Sequence, residues 1–483
     1  MIRATAVGYV LGQFLIVLGG SMVVPLIVAL TGAGDSWNPV GYSMAITVAA
    51  GLGLISRCPK PKSELAIREG LLLVVTVWIS ASVFGGLPFY FTPHFGTFTD
   101  SVFEAASGFT TTGATVLSDV SVLPRSVQFW RHFSHWLGGM GIVLLGVAVL
   151  PLLGIGGMHL YRAEFSGAKS EKLKPRITET ALSLWRIYFA MTIAEYFALR
   201  LAGMNPFESA CHTFSTLGTG GFSTRTASIA GFNSPLIDYI IIVFMLLSGA
   251  SFARQYQLWV ERRPKPFFRD VEIRAYGLIV VVSSTVIGLV LWLQSGYAPE
   301  HAFRAALFQV SSIITTTGFA TEDFERWLPL PQLILLALMF CGGCTGSTAG
   351  GLKVSRMVLL QEVVRREFRR MVERRGVFAV RMGNQVVPES TVQSVLNLVY
   401  LAFLINFVSV LLLAALGVDV LTSISAVAAN MFNVGPGLGN VGPTEHYGHL
   451  PALAKWILSG CMIAGRLEFY TALVVLAPPF WRK

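Results

Sequence analysis

Four short tracts decide how this chain is read: Ser-Gly-Phe-Thr-Thr-Thr-Gly-Ala-Thr (Ser107–Thr115), Ser-Thr-Leu-Gly-Thr-Gly-Gly-Phe-Ser-Thr (Ser215–Thr224), Ile-Ile-Thr-Thr-Thr-Gly-Phe-Ala-Thr (Ile313–Thr321) and Asn-Met-Phe-Asn-Val-Gly-Pro-Gly-Leu-Gly (Asn430–Gly439). Aligned on Gly113, Gly221, Gly318 and Gly435, they recur at intervals of 108, 97 and 117 residues. Self-similarity at such a period marks an internal repeat, here fourfold. Before each tract runs an amphipathic segment: Asp100–Phe109, Asn205–Ser215, Glu300–Ser312 and Asp419–Ala429. Long apolar stretches flank each pair. The leading ones lie near Gly70–Phe91, Leu184–Leu201, Tyr276–Leu293 and Val395–Leu416, the trailing ones near Phe129–Leu153, Ile237–Phe252, Leu330–Cys344 and Trp456–Leu476.

A bilayer core takes about 20 helical residues to cross. Each long stretch reads as a crossing, and with an N-terminal hairpin (Ala6–Leu30, then Val40–Ile55) the expectation is ten. The amphipathic segments are too short to span, so they enter, stop midway and return as extended backbone. Such backbone survives at membrane depth only when packed in protein or lining a wet cavity. Four of them satisfy one another by meeting on one axis. The expected fold is an all-α polytopic membrane protein with four pseudo-symmetric helix/pore-loop/helix units around one ion pathway. The expected units are 61–160, 161–262, 263–385 and 386–483, after a two-helix hairpin at 1–60.

Composition agrees. Of 483 residues 53% are hydrophobic and 13% charged, against roughly 25% charged in soluble domains. The mean hydropathy is +0.63. Three water-facing globules would lack polar surface to cover them, charges are too sparse for disorder, and the 48 glycines follow no collagen triplet. The net charge of +10 would suit nucleic acid, but the bases sit between spans. They cluster at Arg3, Arg57–Arg68, Arg162–Arg176, Arg254–Arg274, Lys353–Arg381 and Arg482–Lys483; these loops carry about +15 and the rest about −5. The positive-inside rule puts them in the cytoplasm with both termini, and puts Asp100, Glu104, Glu208, Asp238, Glu300, Glu322, Glu445 and their acidic neighbours outside, as an expected cation-gathering mouth. The opening helix is too long for a signal-peptide core and reads as a retained anchor. Five cysteines in apolar surroundings suggest no disulfide framework.

A potassium ion sheds its water only where oxygens replace it, and a ring of backbone carbonyls from four repeats supplies them. Glycine permits the φ > 0 and the close approach such a ring needs. The expected filter is Thr111-Thr112-Gly113, Thr219-Gly220-Gly221, Thr316-Thr317-Gly318 and Asn433-Val434-Gly435, with Thr112, Gly113, Gly221, Thr317, Gly318, Val434 and Gly435 as the ion ligands. A helix break or a small-residue helix contact explains one such tract equally well, but not four at matching positions.

Below the third tract, Gly342, Gly343, Thr345, Gly346, Ser347, Thr348, Gly350 and Gly351 interrupt an apolar helix just before Lys353. Leu352 stands where a phosphate loop needs lysine, and no strand precedes, so a nucleotide site is rejected. A mid-membrane glycine break reads instead as a flexible constriction. Arg466 lies about 15 Å from its helix end; it is either an electrostatic latch on that loop or a structural arginine on backbone carbonyls. The basic helix Lys353–Arg375, with Met357, Leu360, Val364, Phe368 and Met371 at helical spacing, suits anionic lipid or a docking partner equally. His132 and His135 form a weak metal-ligand pair at i and i+3. No nucleophile and base pattern suggests an enzyme.

The four tracts, together with His135-Trp136-Leu137-Gly138-Gly139-Met140-Gly141, the run Cys341–Lys353 and Gly465-Arg466-Leu467-Glu468, resemble the TrkH family of bacterial Trk potassium uptake systems, within the Trk/Ktr/HKT superfamily. The resemblance covers essentially the whole chain. It implies four pore-loop units, potassium as the transported ion with no organic cofactor, and an intramembrane gating loop at Gly342–Gly351. It also implies a homodimer in the bacterial inner membrane and a cytosolic nucleotide-binding TrkA ring as partner, with no role for nucleic acid. A serine at the first filter glycine accompanies sodium transport in that superfamily, so Gly113 favours potassium. Gly220 departs from the Thr-Thr-Gly pattern, which loosens the expected selectivity.

Overall fold

The computed structural model describes residues 2–32, 35–63, 65–141, 177–383 and 385–482. It is an all-α polytopic membrane protein; its only sheet among the described residues is a two-stranded ribbon pairing Arg381–Met382 with Gln385–Val386. The chain opens with Ala4–Ser21 and Val23–Thr31, which pack antiparallel against Asn38–Arg57. Two glycines set that contact. A Cβ on Gly12 would lie 2.8 Å from the Gly51 carbonyl, and one on Gly51 would lie 2.7 Å from the Gly12 carbonyl. Small residues let helices approach this closely where lipid gives no hydrophobic drive. Arg3 ties the pair to the next helix by an ion pair to buried Glu69 at 2.7 Å.

The leading helices are Ile67–Gly85, Ile177–Leu201, Val271–Gln294 and Glu389–Ala415. After each comes a short tract helix: Phe98–Phe109, Pro206–Leu217, Pro299–Ile314 and Val420–Met431. Three begin on a side-chain cap, Thr97 accepting from Asp100 N–H, Asn205 from Glu208 N–H and Asp419 from Thr422 N–H. The third has no such cap and starts on Pro299. A proline at the first position needs none of the free N–H bonds. At 1.5 Å per residue these helices run about 18–24 Å, short of a roughly 30 Å hydrocarbon core.

Against ten expected crossings, one of them interrupted at Gly342–Gly351, the described trailing helices are shorter than a crossing requires. Five helices among the described residues are long and apolar enough to span, six if one bent pair counts as a span. The trailing helix Pro235–Gly249 breaks at Ala250–Ser251, and Phe252–Trp259 leaves at 105°. In the others, Pro329–Met339 has 11 residues, Ala452–Arg466 has 15, and Arg125–Trp136 runs into a π-turn at Leu137–Gly141. A Cβ on Gly138 would sit 1.9 Å from the Phe109 carbonyl, and one on Gly465 1.7 Å from that of Met431, so glycine lets these helices cross the ends of tract helices. The remainder of the expected stretch Phe129–Leu153, the boundary at 160/161 and the basic loop Arg162–Arg176 lie outside the described residues.

Candidate functional site: a ring of four tracts

All four tract helices end the same way. The N–H of Thr112, Gly220, Thr317 and Val434 returns to the carbonyl of Ser107, Ser215, Ser312 and Ala429, at 2.7–2.8 Å. Between helix and strand stands a left-handed residue in each: Thr111, Thr219 and Thr316 at φ 55°, Asn433 at φ 57°. This is a Schellman-type end with the usual glycine replaced. A β-branched residue there costs about 1–2 kcal/mol. The chain then passes Gly113, Gly221, Gly318 and Gly435, at φ 84°, 76°, 81° and 98°.

These glycines close a ring. A Cβ on Gly113 would fall 2.1 Å from the Gly220 carbonyl oxygen, one on Gly221 2.0 Å from that of Thr317, one on Gly318 2.1 Å from that of Val434, and one on Gly435 2.5 Å from that of Thr112. Each repeat thus packs on a backbone carbonyl of the next, in the cyclic order one, two, three, four, one. The four glycines line a single vestibule with Arg131, Arg225 and Glu445. The tract that departs from Thr-Thr-Gly is also explained: the His135 ring fills the space beside Gly220.

Glu104, His212 and Gln309 hold the strands, a role that their sequence context alone did not assign to them. Each stands nine positions before its tract glycine, and that shared offset was the available signal. Glu104 accepts from Val116 N–H at 3.0 Å and Thr115 Oγ1 at 2.9 Å. His212 Nε2 bonds Ser223 Oγ at 3.0 Å, and Gln309 faces Thr321 N–H at 3.0 Å. Glu104 also pairs with Arg131 at 2.6 Å, both being buried, while Arg131 covers the Phe222 ring at 3.5 Å. Removing one partner of such a pair strands a charge, at about 3–5 kcal/mol. Glu104→Gln is therefore expected to lower the thermal unfolding midpoint of detergent-solubilised protein sharply, with Arg131→Met added to it recovering part of the loss.

Part of the acidic mouth expected from sequence is paired with bases. Asp100 pairs with Lys455, Glu208 with Arg225, Asp238 and Glu300 with Arg304, Glu322 with His301 and Asp323 with Arg326. Asp119 accepts from Ser121 and Thr226, which holds its carboxyl below the usual range. Glu445, exposed in the vestibule, has no side-chain bond among the described residues.

At the other end of the tracts lies the glycine break. Gly350 N–H donates to Thr316 Oγ1 at 2.7 Å, and a Cβ on Gly350 would lie 2.7 Å from the Phe432 carbonyl. Gly342 N–H reaches the Leu352 carbonyl at 2.7 Å, closing the loop's neck. Gly346 and Gly351 are left-handed, at φ 76° and 68°. Gly343 lies against the Gly249 carbonyl, 2.6 Å from where its Cβ would be. Thr345 is tied by its N–H, at 2.7 Å, to Glu272; Ser347 bonds the Cys344 carbonyl; Lys353 Nζ curls back onto the Ala349 carbonyl. Arg466 joins both sides: Nη1 donates to the Thr348 carbonyl at 2.8 Å, and Nη2 to those of Gly138 and Gly139 at 2.9 and 2.8 Å. The two sequence readings of Arg466 meet here, since it holds structural carbonyls and the loop at once. Glu468 pairs with Arg356 at 2.6 Å. His132 and His135 both turn Nδ1 to Ser215 Oγ, at 2.8 and 3.1 Å. No group of three or more metal-ligating side chains occurs among the described residues. All five cysteines are free.

Four like units meeting in a ring of carbonyls within an apolar helical body define a polytopic membrane transport protein rather than an enzyme. The family model described as TrkH, cation transport protein, matches residues 40–482. The chain belongs to the TrkH family. It is 41% identical over 476 residues to the Trk system potassium uptake protein TrkH of Halomonas elongata, covering 98% of both chains, and 41% identical over 485 residues to that of Escherichia coli (strain K12), covering 99% of both. The crystal structure of the potassium transporter TrkH from Vibrio parahaemolyticus superposes with a TM-score of 0.90 at 39% identity, over 100% of each chain.

Proposed function

We propose that this chain takes up potassium across a bacterial inner membrane through a filter of backbone carbonyls, as the membrane subunit of a Trk system. One observation carries the reading: each of the four tract glycines abuts the carbonyl of the next repeat, around one axis. The ion ligands are carbonyls of Thr112, Gly113, Gly221, Thr317, Gly318, Val434 and Gly435. Thr111, Thr219, Gly220, Thr316 and Asn433 shape the strands behind them. The proposed units are 61–160, 161–262, 263–385 and 386–483, after the hairpin at 1–60. The tract helices act as pore helices, whose carbonyl ends aim about half a negative charge each at the ring.

The loop Gly342–Gly351 gates the path, with Arg466 and Lys353 as its charges. The basic loops and both termini face the cytoplasm. Val364, Phe368 and Met371 of the helix Val354–Val372 are exposed. They suit lipid, a second copy of the chain in a homodimer, or a TrkA-like cytosolic ring. A secondary transporter of inverted repeats is disfavoured, because all four units run in the same order.

The reversal potential of reconstituted protein in asymmetric KCl and NaCl, with and without the cytosolic partner, tests both proposals. A potential near the potassium equilibrium value, with conductance set by the partner, is expected. A potential indifferent to which cation is asymmetric excludes the filter.

A further inference from the structure

Three filter strands carry a side chain at the position before the glycine: Thr112, Thr317 and Val434. All three are fully buried, and each threonine hydroxyl is bonded to the threonine two residues earlier, Thr110 at 2.8 Å and Thr315 at 2.7 Å. The second strand has Gly220 instead, although its φ lies outside the left-handed region, so the backbone does not ask for glycine. His135 does. A Cβ on Gly220 would lie 2.3 Å from Cγ and Nδ1 of the His135 ring and 2.5 Å from Cε1.

The ring is wholly buried and fixed from two sides. It stacks on Phe222 with centroids 4.1 Å apart and planes 19° from parallel, and its Nδ1 bonds Ser215 Oγ. Phe222 follows the strand, and Ser215 supplies the carbonyl that receives the Gly220 N–H. His135 thus grips both ends of the strand from the trailing helix of the first unit.

We propose that His135 is the missing side chain of the second filter strand, a positioning residue that fixes the Gly220–Gly221 backbone, and with it the Gly221 carbonyl, and so the preference for potassium over sodium. This rests on the filter reading above. Glycine is the residue with most backbone freedom to lose, so beyond the His212–Ser223 and Gly220–Ser215 bonds this strand depends on packing from outside, and a carbonyl that wanders coordinates the smaller ion as readily.

The test compares His135→Ala, Gly220→Ala, the double variant and Gly318→Ser, each as full-length protein in liposomes, by reversal potential under KCl and NaCl gradients. His135→Ala is expected to lower the potassium-to-sodium permeability ratio about tenfold, and Gly220→Ala, whose methyl meets the ring, comparably. In the double variant that methyl enters the vacated space, and the ratio recovers. His135→Phe, which keeps the ring and loses the Ser215 bond, retains the parent ratio even if His135→Ala is not recovered from membranes. A merely structural role would lower yield without moving the ratio. A parent-like ratio in His135→Ala, a changed one in His135→Phe, or a double variant no better than the worse single overturns the proposal. A change on Gly318→Ser with none on His135→Ala removes only the role of His135; no change on either removes the filter reading.

Discussion

Replacing Gly318 by serine abolishes selective potassium flux, while Gly417→Ser leaves it near the parent level. Both glycines have positive φ, 81° and 86°, so both substitutions put a side chain on left-handed backbone. The backbone cost is about 1–2 kcal/mol in each case. What differs is the space. Nothing lies within 4 Å of a Cβ on Gly417, whereas on Gly318 it would fall 2.1 Å from the Val434 carbonyl and 3.0 Å from Pro436 Cδ. The carbonyl must move, and it is one of the oxygens proposed to face the ion. A loss of roughly 3 kcal/mol of ion stabilisation is a loss of about 100-fold in potassium permeability. Uptake into proteoliposomes under a fixed gradient measures it. Parent-level flux in Gly318→Ser, with the protein folded, would falsify the carbonyl-ring reading. Gly113→Ser, aimed at the Gly220 carbonyl, should behave alike.

That four units meet at glycines was legible because repetition needs no partner to be seen. Gly113, Gly221, Gly318 and Gly435 announce themselves by spacing. The turn that delivers them was not legible. Thr111, Thr219 and Thr316 are β-branched residues in left-handed conformation, against their local preference. They are held there by helix-end bonds and by packing from other units. The close approach of the trailing helices to the tract helices was hidden for a related reason. Apolar length measures what lipid tolerates, and it does not register that Gly138 and Gly465 must pass the ends of tract helices. The mouth was legible only in part. Sequence gives the sign of Asp100 and Glu104 but not that Lys455 and Arg131 lie against them. His135 and Gly220 are the sharpest case, because neither is unusual alone and only their contact gives a reason for each.

Arg466→Ala is expected to raise basal conductance in the absence of any cytosolic partner. The guanidinium spans two bodies: the loop, through Thr348, and the π-turn of the first unit, through Gly138 and Gly139. Bonds from a charged donor contribute about 1.5–3 kcal/mol each. Losing the one to Thr348 alone shifts a closed-to-open equilibrium by about tenfold or more. The same loop rests on the third tract through Gly350 N–H and Thr316 Oγ1, so its release should also disturb the ring. The rise in conductance should therefore come with a lower potassium-to-sodium ratio. Arg466→Lys keeps the charge but not the planar fork, which three carbonyls in two directions require. It should leak less than alanine and more than arginine. Single-channel recording in planar bilayers separates the outcomes. Unchanged open probability in folded Arg466→Ala removes the latch. Protein that fails to fold with alanine, yet gates normally with lysine, makes Arg466 a scaffold for the π-turn, the role its two bonds to Gly138 and Gly139 already describe.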